Sequence, residues 1–151
     1  MRISEHFTLE EFVESATAKR RHIDNTPSDT VVLAITTLVN GLLEPLRKRW
    51  GAPIYVNSGY RSPALNKAVN GSLTSQHMRG EAADIRASSP KENMRLYHVL
   101  RTSFMFDQII AEEYDVATGT CGWVHVSFKA TGNRKNALIK YKGKKGYYYW
   151  K

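Results

Sequence analysis

Two histidines and an aspartate carry the most specific chemistry in this chain. His77 and Asp84 lie in Thr74-Ser75-Gln76-His77-Met78-Arg79-Gly80-Glu81-Ala82-Ala83-Asp84-Ile85, and His125 follows in Gly122-Trp123-Val124-His125-Val126-Ser127. Imidazole and carboxylate are the donors that zinc accepts where thiolates are scarce, and the chain holds a single cysteine, Cys121. Three protein donors leave a fourth tetrahedral position for water, which a purely structural site would close. Spacing alone leaves a second reading open, because a lone histidine is more often a surface or packing residue than a ligand.

The elements that must position these side chains are legible in outline. His125 sits in a strand-like run whose alternation sends Val124 and Val126 to one side and His125 to the other. Asp84 lies in a second strand pattern, Ala82 to Ala87, with His77 in the loop before it, and Gly80 lets the chain turn back sharply. Thr8-Leu9-Glu10-Glu11 reads as a capping box opening a helix to about Ala18. Ser28 caps a long helix to about Trp50, with Val32, Ile35, Val39, Leu42, Leu43 and Leu46 at helical spacing and Pro45 expected to kink or divide it. Pro53 to Asn57 reads as a strand. Ser62-Pro63 and Ser89-Pro90-Lys91-Glu92 each open a helix, the first to about Val69 and the second to about Arg101. Met105 to Glu112, Gly122 to Phe128 and Ala137 to Tyr141 are rich in strand formers. Helices first and strands last predict an α+β fold: one domain over residues 1–151, its N-terminal helices packed on a mainly antiparallel sheet that carries the metal site.

Bulk properties narrow the function classes. A chain of 151 residues with 42% hydrophobic and 24% charged residues can build a real core and is not of disordered type. Its apolar stretches are interrupted within a few positions, so no membrane insertion is expected, and a monomer is expected. Met1 to His6 lacks the apolar run of a secretory leader, which predicts synthesis in the cytoplasm and delivery by other means. The lone cysteine excludes an internal disulfide framework, and Cys121 reads as a buried small hydrophobe more readily than a ligand. The formal charge of +8 is concentrated towards the end, so residues 129–151 read as a basic, aromatic C-terminal extension. Such charge suits an anionic polymer. No nucleic-acid-binding motif accompanies it, and no nucleic-acid partner is expected. Gly143 to Trp150 could stack on sugars or bases, though a strand laying its aromatics on the sheet is the plainer reading.

Several blocks in order then resemble the zinc D-Ala-D-Ala carboxypeptidase and L-alanyl-D-glutamate endopeptidase family. Ser75-x-His77-x-x-Gly80-x-Ala82-x-Asp84 is similar to its SxHxxGxAxD signature, and Trp123-Val124-His125-Val126-Ser127 to the block holding its last ligand. Ser58-Gly59-Tyr60-Arg61-Ser62 matches a further block, and His6-Phe7-Thr8-Leu9-Glu10-Glu11 resembles the start of phage and prophage members. The resemblance implies zinc on His77, Asp84 and His125, in a metal-site architecture shared with lysostaphin-type peptidases and the hedgehog domain. It implies peptidoglycan peptides as substrate, with a water activated by the metal and an acidic side chain shuttling its proton. Arg61 matches the arginine expected to bind substrate and stabilise the oxyanion, and Ser75 would orient the site. The chain departs from the family where the catalytic acid is expected, since Gly122 stands there. If residues 105–112 and 122–128 pair as a hairpin, Glu112 is the first candidate to replace it, with Glu113 and Asp107 next. The family reading predicts an enzyme of the endolysin kind or a D,D-carboxypeptidase, reaching the cell wall through a holin or on a virion. The alternative is an inactive zinc-bearing module that binds the wall, and the bond cut is left open.

Overall fold

The computed structural model describes residues 1–151. Its helices begin where a serine hydroxyl can take up an otherwise orphaned amide. Ser15 accepts from Ala18, Ser28 from Val31, Ser62 from Leu65 and Ser89 from Glu92. These bonds open α2 (Ala16–Arg21), α3 (Asp29–Leu38), α5 (Pro63–Ala68) and α6 (Pro90–Ser103). The first helix differs from expectation. Thr8 makes no side-chain cap bond, and α1 (Leu9–Val13) stops well short of Ala18 because the cap at Ser15 restarts the chain as α2.

Pro45 does not divide the long helix, which runs from Asp29 to Trp50. Having no amide to give Gly41, it is preceded by a π-helical turn, Val39–Leu43, in which the Glu44 amide reaches back to the Val39 carbonyl. The helix resumes as α4 (Glu44–Trp50). Gly41 packs against the Phe128 ring, which would have to shift to admit a Cβ there. Contrary to the reading of interrupted apolar stretches, the 22 residues Asp29–Trp50 are long and apolar enough by length and composition to cross a membrane. Here Ile35, Leu38, Val39, Leu42, Leu43 and Leu46 are all buried in the core.

Six strands form one open sheet in the order β1-β2-β4-β3-β5-β6. They are β1 (Tyr55–Ser58), β2 (Ala82–Arg86), β3 (Gln108–Tyr114), β4 (Trp123–Ser127), β5 (Asn136–Tyr141) and β6 (Tyr148–Tyr149). All neighbours are antiparallel except β3 and β5, which makes the sheet mixed and the single domain α+β. Alternation assigns two faces. Ala83, Ile85, Ile109, Ala111, Val124, Val126 and Ile139 join the core with the long helix and α6. On the other face, cross-strand register aligns Ser58, Asp84, His125, Ile110, Leu138 and Tyr149 in one row.

Candidate metal centre

The row just described puts Asp84 directly beside His125, because β2 and β4 pair with those two residues in register. His77 arrives from a 3₁₀ turn, Gln76–Arg79, which Ser75 caps by accepting the His77 amide at 3.2 Å. Gly80 then turns the chain with φ +73, and a Cβ there would come within 2.8 Å of the Val31 carbonyl. The expected sharp return of His77 towards Asp84 is therefore realised against the long helix.

The donor atoms converge. One ligand atom from each of His77, Asp84 and His125 lies within 4.8 Å of the others. His77 Nε2 is 3.5 Å from Asp84 Oδ2, and His125 Nδ1 is 3.1 Å from Asp84 Oδ1. A tetrahedral ion with bonds of about 2.0–2.1 Å needs donor atoms roughly 3.3 Å apart, so the set fits zinc in chemistry and in spacing. His77 Nδ1 donates to the Gly59 carbonyl at 2.7 Å, which fixes the tautomer and leaves Nε2 as a lone pair aimed at the site. Burial would raise the Asp84 carboxyl, but the His125 and His77 imidazoles beside it hold it well below the usual carboxylate range. It is thus the ionised donor a cation requires.

Arg61 lies at the rim of this cluster. Its guanidinium donates through Nε to Ser58 Oγ at 3.2 Å, through Nη1 to Asn66 Oδ1 at 3.4 Å and through Nη2 to Asp84 Oδ2 at 3.4 Å. Its own amide donates to the His77 carbonyl, tying the two loops together. The loop holding Arg61 is clamped by buried Asn25, which donates to the Val13 and Tyr60 carbonyls and accepts the Ser62 amide. Asn25 and Asn66 were missed from the sequence. Asn25 shows in the sequence only as a turn former and Asn66 only as a polar residue within a helix, and neither pattern says that the amide will be buried.

The three candidate bases separate clearly. β3 and β4 do pair as a hairpin, with Ile110 opposite His125 and Glu112 opposite Trp123. Glu112 therefore shares the face of His125 and lines the same cleft, of about 740 Å³, as all three donors and Arg61. Burial pushes its carboxyl up, with His125 and Lys140 drawing it down and Asp84 and Glu113 pushing it further up. Glu113 adopts a left-handed backbone, φ +51, at an irregularity of β3 and does not line the cleft. Asp107 is fully buried and already engaged, accepting from Arg134 Nη2 at 2.8 Å, Gln76 Nε2 at 3.0 Å and Ser127 Oγ at 3.2 Å. Gly122 packs close to Glu113, where a Cβ would meet the Glu113 Cβ at 3.3 Å, and buried Asn93 donates to its carbonyl. Cys121 is buried outside the donor set, its thiol pushed up to about 12 by burial.

The remaining histidines serve other ends. His6 Nδ1 meets Glu44 at 2.7 Å, His22 caps α2 in a left-handed conformation, and His98 packs against Tyr97 and Trp150. A family model, peptidase M15, matches residues 5–127, which includes His77, Asp84, His125, Arg61 and Glu112. No curated protein matches the chain.

Proposed function

The chain belongs to the peptidase M15 family, and we propose that within it the protein is a zinc metallopeptidase that hydrolyses bacterial peptidoglycan stem peptides or cross-links. The observation that carries this reading is the convergence of His77 Nε2, the Asp84 carboxylate and His125 Nδ1 in a cleft that also holds Glu112 and Arg61. Zinc held by those three donors supplies Lewis acidity to a scissile carbonyl and to the attacking water.

The chain's own residues do the rest. Glu112, partly withdrawn from water and on the face of His125, takes the proton from the attacking water and passes it to the departing amine nitrogen. Arg61 is held by three long contacts and lines the cleft, where its guanidinium is the group to bind a substrate carbonyl or carboxylate as negative charge develops. Lys129 and Arg134 also line the cleft, and together they exceed the single charge of Asp107 to which both are paired. A cationic cleft suits stem peptides, which carry free carboxylates. Such an enzyme would act on the wall as a lytic protein, released through a holin or carried on a virion.

A second reading, a wall-binding module that holds metal without catalysis, draws on Gly122 standing where an acid is expected. Digestion of purified peptidoglycan by zinc-loaded protein, with products weighed by mass spectrometry, separates the two. The wild type should release peptide fragments whose masses identify the bond. Glu112→Gln should retain zinc and lose about 10²- to 10⁴-fold in rate. His125→Ala should lose zinc and activity together. Absence of cleavage by the zinc-loaded wild type across several wall types would leave the binding module standing.

A further inference from the structure

The family match ends at residue 127, yet the chain beyond it reaches the metal cleft. β6 pairs with β5 so that Tyr149 lies opposite Leu138, in the row that contains Asp84 and His125. Tyr147, two positions earlier in the sequence and just outside β6, has the Glu112 and Asp84 carboxylates close enough to act on its phenol. It lines the cleft with the three metal donors, while the residue stays 56% exposed and free to meet a ligand.

The other side chains of this segment hold it in place. Tyr148 pairs with Ile139 and sets its ring against Tyr141 at 5.5 Å. Trp150 donates its amide to the Ala137 carbonyl and packs on Tyr97, His98 and the Arg101 guanidinium of α6. Tyr148 and Trp150 thus anchor the tail, and Tyr147 is its residue that lines the cleft.

We propose that Tyr147 is a substrate-contacting residue of the cleft, its ring packing against the backbone of an acidic peptide and its hydroxyl donating to a peptide carbonyl on the Glu112 side. Lys129 and Arg134 line the same cleft at its Asp107 end, across the row of His125 from Glu112, and attract the carboxylates of that peptide. Partial burial and the Glu112 and Asp84 carboxylates push the Tyr147 phenol up, so the hydroxyl stays protonated and acts as a donor. The contact is one of binding, and the proposal rests on the peptidase reading above.

The test is a set of full-length, zinc-loaded variants assayed on soluble peptidoglycan peptides, with KM and kcat resolved. Tyr147→Ala should raise KM about tenfold and Tyr147→Phe about threefold, the difference being the ring contact, with kcat, zinc content and unfolding midpoint unchanged. Tyr148→Ala, on the opposite face, should lower the unfolding midpoint and leave KM alone. A second readout is calorimetric binding of an uncleaved stem tetrapeptide to Glu112→Gln, which should weaken by the same factor when Tyr147→Ala is added. Cleavage by the wild type with KM unchanged in Tyr147→Ala would overturn the role of the tail and leave the peptidase reading intact. A wild type that neither cleaves the peptides nor binds the tetrapeptide would overturn both.

Discussion

At the scale of single residues, the site is a set of donors each held by a second contact. His77 is fixed by the Gly59 carbonyl and by Ser75, Asp84 by His125 and Arg61, and Arg61 in turn by Ser58 and Asn66 as well. The fork of Arg61 is what makes three simultaneous contacts possible, and an ammonium on a flexible stem cannot reproduce it. Arg61→Lys should therefore keep zinc and the fold but lower kcat/KM by about 10- to 100-fold, equivalent to roughly 1.4–2.8 kcal/mol, as steady-state kinetics with metal analysis would show. An unchanged kcat/KM would mean that the guanidinium only braces the loop.

Among the elements, the decisive join is between α1 and the end of β1. The Tyr60 amide donates to the Phe12 carbonyl at 2.6 Å, and a Cβ on Gly59 would lie 2.5 Å from that carbonyl oxygen and 2.6 Å from the Phe12 Cα. Backbone on both sides leaves no flexible group to yield, so Gly59→Ala must push α1 away from the sheet. We expect a loss of about 2–4 kcal/mol in denaturant unfolding. Because the Gly59 carbonyl also orients His77, zinc affinity should fall with it, by about tenfold or more in a chelator competition. A destabilised protein that still binds zinc normally would separate the packing role of Gly59 from its role at the metal.

Across the whole molecule, the N-terminal segment is tied to the long helix through one buried carboxylate. Glu44 accepts from Ser4 Oγ at 2.6 Å, from the His6 amide at 2.7 Å and from the His6 ring at 2.7 Å. Burial alone would raise its carboxyl, but these bonds outweigh it and lower the value from 4.5 to about 2. A carboxyl depressed in the folded state contributes stability that is complete above the unfolded value and is lost as pH falls towards the folded one. Glu44→Gln should thus cost about 2 kcal/mol near neutral pH, with the gap to wild type closing between pH 4.5 and about 2 in unfolding measured against pH. A gap that stayed constant over that range would exclude the ionised carboxylate as its source.

Much of this protein is written locally. Serine caps before α2, α3, α5 and α6, alternation in β2 and β4, and the donor types at His77, Asp84 and His125 depend on near neighbours, and a one-dimensional pattern carries them. The sequence also offers Glu112, Glu113 and Asp107 as candidate bases, from the resemblance of residues 106–112 and an expected hairpin with residues 122–128. Choosing among them required register and burial: Glu112 shares the His125 face, Asp107 is consumed by Arg134, and Glu113 sits in a left-handed turn. The break between α1 and α2, the π-turn before Pro45 and the parallel pairing of β5 with β3 were equally out of reach. So was the arrival of Tyr147 at the cleft. Each of these depends on contacts between residues far apart in the chain, and periodicity within a single segment carries no information about which distant segment will pack against it.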